Sequence, residues 1–212
     1  GNLIPLPTSK ARLQVIHNSP DAVASQVDVY INGALALDNF AFRTATPFID
    51  VPAGTPLSID VAPSTSTSAA QSIYNLTTTL ANSGKYIAIA NGIVSATGYT
   101  NPSSFALSVF PTAQEAAILG TNTDVLVNHG SPDAPTVDVV ETSVPAGTIV
   151  NDIAFPSFAG YLQLPTANYT LDVRDASGTT TVASYSAPLQ TLALNGAAIT
   201  VLASGFLNPA TN

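Results

Sequence analysis

The chain of 212 residues contains no cysteine, no methionine and no tryptophan, and only 8% of its residues are charged. Each shortage narrows the field. Without cysteine there is neither a disulfide nor thiol chemistry. Typical soluble domains are about 25% charged, so here Ser, Thr, Asn and Gln must carry the surface. The five basic residues (Lys10, Arg12, Arg43, Lys85 and Arg174) are scattered along the sequence, against 13 acidic residues and a net charge of −8. No basic patch exists to neutralise phosphates, which argues against nucleic acid and against an anionic membrane surface. No run of eighteen apolar residues occurs, so no transmembrane helix is expected. Methionine is missing even at position 1, and the composition is polar, Thr-rich and Lys-poor. Both features fit an exported chain processed from a longer precursor, its signal peptide removed.

Hydrophobic residues make up 46% of the chain, ample for a packed core, and the length suits one large domain or two smaller ones. An internal repeat decides between these. The only two histidines sit in one phrase used twice, His-Asn-Ser-Pro-Asp-Ala at 17–22 and His-Gly-Ser-Pro-Asp-Ala at 129–134. Behind each phrase the copies stay in step. The stretch 27–31 (VDVYI) matches 137–141 (VDVVE), 42–52 matches 155–165, 57–61 matches 169–173, and 84–94 matches 196–207 with one inserted residue. The expected organisation is an N-terminal extension over 1–10, one repeat over 11–110, a linker over 111–122 and a second repeat over 123–212.

Each repeat reads as strands. Along 12–17, Leu13, Val15 and His17 alternate with Arg12, Gln14 and Ile16. Along 27–31, Val27, Val29 and Ile31 alternate with Asp28 and Tyr30. Turn signals separate the strands: Ser19-Pro20-Asp21, Asn32-Gly33, Pro52-Ala53-Gly54, Asn82-Ser83-Gly84 and Asp175-Ala176-Ser177-Gly178. Asn32-Gly33 between apolar runs is a strong signal for a two-residue type I′ hairpin. Only 112–119 (TAQEAAIL) offers a helix, of about two turns. The predicted fold is all-β: two tandem antiparallel β-sandwiches with immunoglobulin-like or transthyretin-like layering.

In the order H-x-S-P-D-A, V-D-V-Y, A-F, P-F-I-D-V-P-A-G and Y-I-A-I-A-N-G, the chain resembles the bacterial extracellular family called domain of unknown function 4397. The likeness runs over about 11–110 and 123–207. It implies a secreted or surface-attached β-sandwich, often in tandem, of the kind labelled adhesins, with no catalytic residues to carry over. Copy two departs from the pattern at 164–170, where the Pro-Ala-Gly turn is replaced. It departs again at Glu141, where copy one has an apolar residue. The acceptor sequences at 75–77 and 168–170 serve glycosylation only in a eukaryotic secretory pathway, whereas the resemblance is bacterial.

His17, Ser19 and Asp21, and equally His129, Ser131 and Asp133, supply the residue types of a catalytic triad. Yet Ser-Pro-Asp is turn vocabulary, triad members normally come from separate loops, and no Gly-x-Ser-x-Gly elbow is present. One histidine per copy cannot supply the three or four ligands of a zinc site. The better reading is a structural turn: His17, Ser19, Pro20 and Asp21 in copy one, and His129, Ser131, Pro132 and Asp133 in copy two. In it the imidazole ends an inward-facing row and ties loop to strand. The expectation is no enzyme, no metal and no cofactor. Calcium finds no Asp-x-Asp-x-Asp-Gly loop, and the seven tyrosines suit cross-strand or core packing better than sugar stacking. The expected role is an extracellular or cell-surface structural or adhesion module, with a protein, a glycan or itself as partner. The alternative is a carbohydrate-binding accessory domain.

The copies differ at their ends. After Val94 copy one continues into 105–110 (FALSVF), which alternates as one more strand, whereas copy two has only five residues after Leu207. A vacant strand position is expected beside the last strand of copy two. It would be filled either by a segment beyond Asn212 or, in a head-to-tail homo-oligomer, by residues 2–7 of a neighbour. That segment holds Leu3, Ile4 and Leu6, and its Pro5 and Pro7 confine it to an edge.

Overall fold

The computed structural model describes residues 9–95, 97–100, 103–144 and 146–212. It divides into two units, one reaching to Gly98 and including Ser103–Ala113, the other holding Tyr99, Thr100 and Gln114–Asn212. Both units are built from strands; the described residues outside them are turns, loops and two short 3-10 turns at Ala22–Ala24 and Ala69–Gln71.

The first unit contains β1 (Lys10–His17), β2 (Gln26–Ile31), β3 (Ala34–Ala41), β4 (Thr44–Ala45), β5 (Ile49–Pro52), β6 (Pro56–Pro63), β7 (Tyr74–Thr79), β8 (Lys85–Asn91) and β9 (Ala106–Pro111). One sheet runs β4-β1-β8-β9 with β5 also on β1, and the other runs β3-β2-β6-β7. Their inner faces meet in one core. Leu13, Val15 and Leu107 come from the first sheet, and Val27, Val29, Leu57, Ile59 and Val61 from the second, all buried. The hairpin between β2 and β3 turns on Asn32 (φ 49°) and Gly33 (φ 80°), the two positive φ values that a type I′ turn requires.

The second unit contains β10 (Asn122–Asn128), β11 (Val137–Glu141), β12 (Gly147–Ile153), β13 (Phe158–Pro165), β14 (Asn168–Asp175), β15 (Thr181–Pro188) and β16 (Ala198–Leu202). Its sheets run β13-β10-β16 and β12-β11-β14-β15. Where the first unit breaks its strand into β4 and β5 around Pro47, which has no N–H to give the ladder, the second keeps one strand, β13. There Gly160 (φ 77°) stands at the matching place and the register with β10 shifts instead. The second core is thinner: Leu162, Leu164, Leu171 and Ile199 pack on it only partly buried.

Most pairs are antiparallel, but each unit also contains one parallel pair, β1 with β8 and β10 with β16. No local pattern in the sequence announces such a pair. The stretch 112–119 is not helical, which corrects the sequence expectation for it. Its amides bond outward to the sheet rather than back along a helix: Gln114 N–H to the Tyr161 hydroxyl (2.9 Å), Ala117 N–H to the Gly196 carbonyl (2.8 Å) and Ile118 N–H to the Asp124 carboxylate (3.0 Å).

The paired histidine corners as candidate functional site

β1 carries Leu13, Val15 and His17 on its inner face, so the imidazole closes the row of core residues and is fully buried. Its Nε2 lies 2.6 Å from the carbonyl oxygen of Ala24. A carbonyl only accepts, so Nε2 carries the proton; Nδ1 is then free to receive the amide of Ser19 at 3.4 Å. Burial pushes the His17 pKa below its ordinary value, opposed by the bond to Ala24. Phe40 and Phe42 flank the ring at 6.1 and 6.2 Å between centroids. Beside it lies an apolar void of about 10 Å³, lined by residues such as Val15, Val27 and Phe40.

The turn that follows spends its polar atoms on the backbone. The Ser19 hydroxyl donates to the carbonyl of Gly92 at 2.7 Å. Asp21, 1% exposed, caps the 3-10 turn by accepting from Val23 N–H. It also receives the amides of Val94 (2.8 Å) and Ser95 (2.7 Å) and the Ser95 hydroxyl (3.0 Å). One carboxylate thereby fastens the end of β1 to the chain leaving β8. That approach is close. A methyl group on Gly92 (φ 84°) would come within 2.3 Å of the Ser104 carbonyl oxygen, so only glycine fits there.

The second unit repeats the fastening with changes. His129 is buried and its Nε2 donates to the carbonyl of Pro135 at 2.9 Å, with Phe155 edge-on at 6.4 Å. Asp133 receives the amides of Leu207 (2.7 Å) and Asn208 (2.9 Å) and the side-chain amide of Asn212 (3.0 Å). Ser131 donates to Asp133 at 3.2 Å instead of to the loop. Asp133 is only half-buried and borders a cleft of about 320 Å³ formed with Pro132, Ala134, Asn208 and Asn212.

Chemically, the three residue types are neighbours in sequence but not in function. Neither serine hydroxyl bonds to an imidazole, the Ser19 and Ser131 hydroxyls donating to the Gly92 carbonyl and to Asp133, and neither imidazole bonds to an aspartate, so the nucleophile–base–acid relay is not assembled. Among the described residues no group of three His, Cys, Asp or Glu side chains could hold a metal ion. Leu3, Ile4 and Leu6 lie outside the described residues. Tyr30 is buried with its hydroxyl against Ser66, Tyr169 donates to the Pro165 carbonyl, and Tyr185 is 60% exposed.

Other buried acids do related work. Asp28 accepts from the amide of Asn39 (φ 52°), and Asp138 from that of Asp152 (φ 51°), so each acid pins a left-handed bulge in the neighbouring strand. Both point away from the core as the alternation requires, yet Asp28 is 1% and Asp138 4% exposed. The signal was there: Val-Asp-Val recurs at 27–29 and 137–139. Glu141 accepts from the amides of Ser143 and Val144 and so caps the turn after β11.

A polar corner fastened in the same way in two β-sandwiches defines a tandem sandwich module. The chain belongs to the family described as "Domain of unknown function (DUF4397)", whose model matches residues 5–121 and 123–211. No curated protein matches it. Similar solved structures include one described as "Alpha-glucan binding by a streptococcal virulence factor". It is 10% identical, with 95% of this chain and 97% of that one covered, at a TM-score of 0.29. Another, described as "Alpha-glucan recognition by family 41 carbohydrate-binding modules from streptococcal virulence factors", is 12% identical over 94% and 98% at 0.27. "The Bacillus anthracis TIE protein" is 10% identical over 92% of this chain and 34% of that one at 0.29. Likenesses this remote transfer no ligand and no activity. Among the described residues no helix is long and apolar enough to cross a membrane.

Proposed function

We propose that the chain is a non-catalytic module of an exported protein, extracellular or on the bacterial cell surface, with a structural or adhesive role. It works without cofactor or metal, and its partner is a protein or glycan at that surface, or another copy of itself. One observation carries this reading: in both copies the Asp of the repeated phrase and one nitrogen of each histidine are engaged in holding chain to chain, as is the Ser19 hydroxyl in the first copy. His17 in particular faces a void of about 10 Å³, too small for a substrate. The test is His17→Ala. It should lower unfolding stability by about 1–3 kcal/mol, the cost of leaving a buried carbonyl unpaired. A turnover that disappears in His17→Ala or His129→Ala while the melting temperature stays put would overturn the reading.

A second reading, a carbohydrate-binding accessory domain, is favoured by Tyr185, which stands 60% exposed on β15 and could stack on a sugar ring. Glycan-array binding abolished by Tyr185→Ala would put it first.

A further inference from the structure

We propose that β7 is a self-complementary edge through which two copies of this chain pair antiparallel about a two-fold axis at Thr77. The inference rests on the module reading for its setting and deepens it, naming one of the partners given there, another copy of the chain, and the surface that meets it. Whether copies pair is measured apart from whether the histidine corners are structural.

The neighbour of β7 shows which backbone groups are open. Asn32 N–H donates to the carbonyl of Ser58 (2.9 Å), and Ser58 N–H donates to the Asn32 side chain (2.9 Å), so Ser58 faces β2. A strand residue directs its N–H and C=O to the same side, alternating along the chain. Leu57, Ile59 and Val61 therefore face β7, where Thr78, Leu76 and Tyr74 stand opposite them. Asn75, Thr77 and Thr79 direct theirs to the far side, and among the described residues no strand lies there. The same three residues are exposed, while Tyr74, Leu76 and Thr78 are half-buried.

The two four-stranded sheets have three other edge strands, and all are guarded. β3 carries Asp38 and the bulge at Asn39, and β12 carries Asp152 at its own bulge. β15, which holds the place of β7 in the second unit, shifts register around Val182 and ends on Pro188. β7 has none of these devices: no charge, no proline, and an unbroken register with β6. No charged residue occurs between Asp60 and Lys85. That absence bears on the partner. A two-fold contact sets each residue close to its own copy, so a charged edge repels itself and an uncharged one does not.

Laid against itself with Thr77 opposite the partner's Thr77, β7 sets Asn75 opposite the partner's Thr79. All three outward residues then fall in hydrogen-bonded pairs, each exchanging both of its bonds. Any other antiparallel register pairs fewer of them. On the outer face threonine stands beside threonine, a favourable cross-strand pair, and on the core face Leu76 meets the partner's Thr78. Ile73, 42% exposed just before β7, is carried towards the partner's Ala81. The Asn75 side chain is already held by Ser58 (2.9 Å) and Asp60 (2.7 Å), so little freedom is lost there on pairing. The contact joins the two copies' β3-β2-β6-β7 sheets into one continuous sheet.

Charge placed at Thr77 tests the pairing, because that residue meets its own copy. Light scattering of the full chain, over a concentration series up to its solubility limit, should show the mass rise from one chain to two. Thr77→Lys and Thr77→Glu should each be monomeric alone. An equimolar mixture of them should return the two-chain mass, since opposite charges then face each other. Circular dichroism confirms that each variant is folded. A full chain that stays monomeric would overturn the proposal and leave the edge to a strand of another protein. Dimers that survive either substitution, or a mixture that stays monomeric, would overturn it as well. The module reading is tested separately by His17→Ala and survives each of these failures.

Discussion

Asp21 is 1% exposed and accepts from main-chain amides 73 and 74 residues further along the chain. Removing its carboxylate leaves both donors without their acceptor, so Asp21→Ala should cost about 3 kcal/mol. Asp133→Ala should cost less, about 1 kcal/mol, because Asp133 is half-buried and water can replace it. Urea unfolding of the two variants measures the difference. Gly92→Ala should also be destabilising, since its methyl group would meet the Ser104 carbonyl oxygen at 2.3 Å and the position has φ 84°. At this scale the sequence was informative about which residues matter and silent about what they touch. Period-two alternation was enough to put Leu13, Val15 and His17 on one inner face. The partners of Asp21 and Asp133, over seventy residues distant, follow only from strand order.

Elements were legible where their signal is local. Asn32-Gly33 gives its hairpin because only residues tolerant of positive φ can form that turn, and both do. The helix expected over 112–119 failed because helix propensity is a weak prior and the sheet offers acceptors to the same amides, those of Gln114, Ala117 and Ile118. Pro47 interrupting β4 and β5, against Gly160 bending β13, shows one structural need met by two backbone chemistries. The pairing of β1 with β8 and of β10 with β16 joins segments about seventy residues apart, and period-two patterns carry no information about parallel neighbours.

For the whole molecule, acid should act in two stages with identifiable causes. An unfolded histidine gains its proton near pH 6.5, whereas burial holds the folded His17 below that value. The unfolded state therefore binds more protons below pH 6.5, and stability is lost as pH falls from there through the folded pKa. His17→Gln should lack this limb. The second stage comes from carboxylates stabilised in their charged form. Bonds from Ser177 and the Thr180 amide lower Asp175 from 3.8 to about 2, and Ser184 and Arg174 lower Asp172. These contributions are present above about pH 4 and disappear as pH falls towards 2. Urea midpoints measured from pH 7 to pH 2 should show both limbs in the wild type, and a flat profile between pH 7 and 5 would contradict the role given to His17.

The central claim is that each repeated phrase is a clamp that holds the strand end to the loop at its side. Hydrogen exchange of single amides reads this directly in Asp21→Asn and Asp133→Asn, which keep side-chain size and lose the acceptor charge. The clamp predicts faster exchange at Val94 and Ser95 in the first variant and at Leu207 and Asn208 in the second, with the inner-strand amides little changed. Unaltered protection at those four amides in both variants would contradict it.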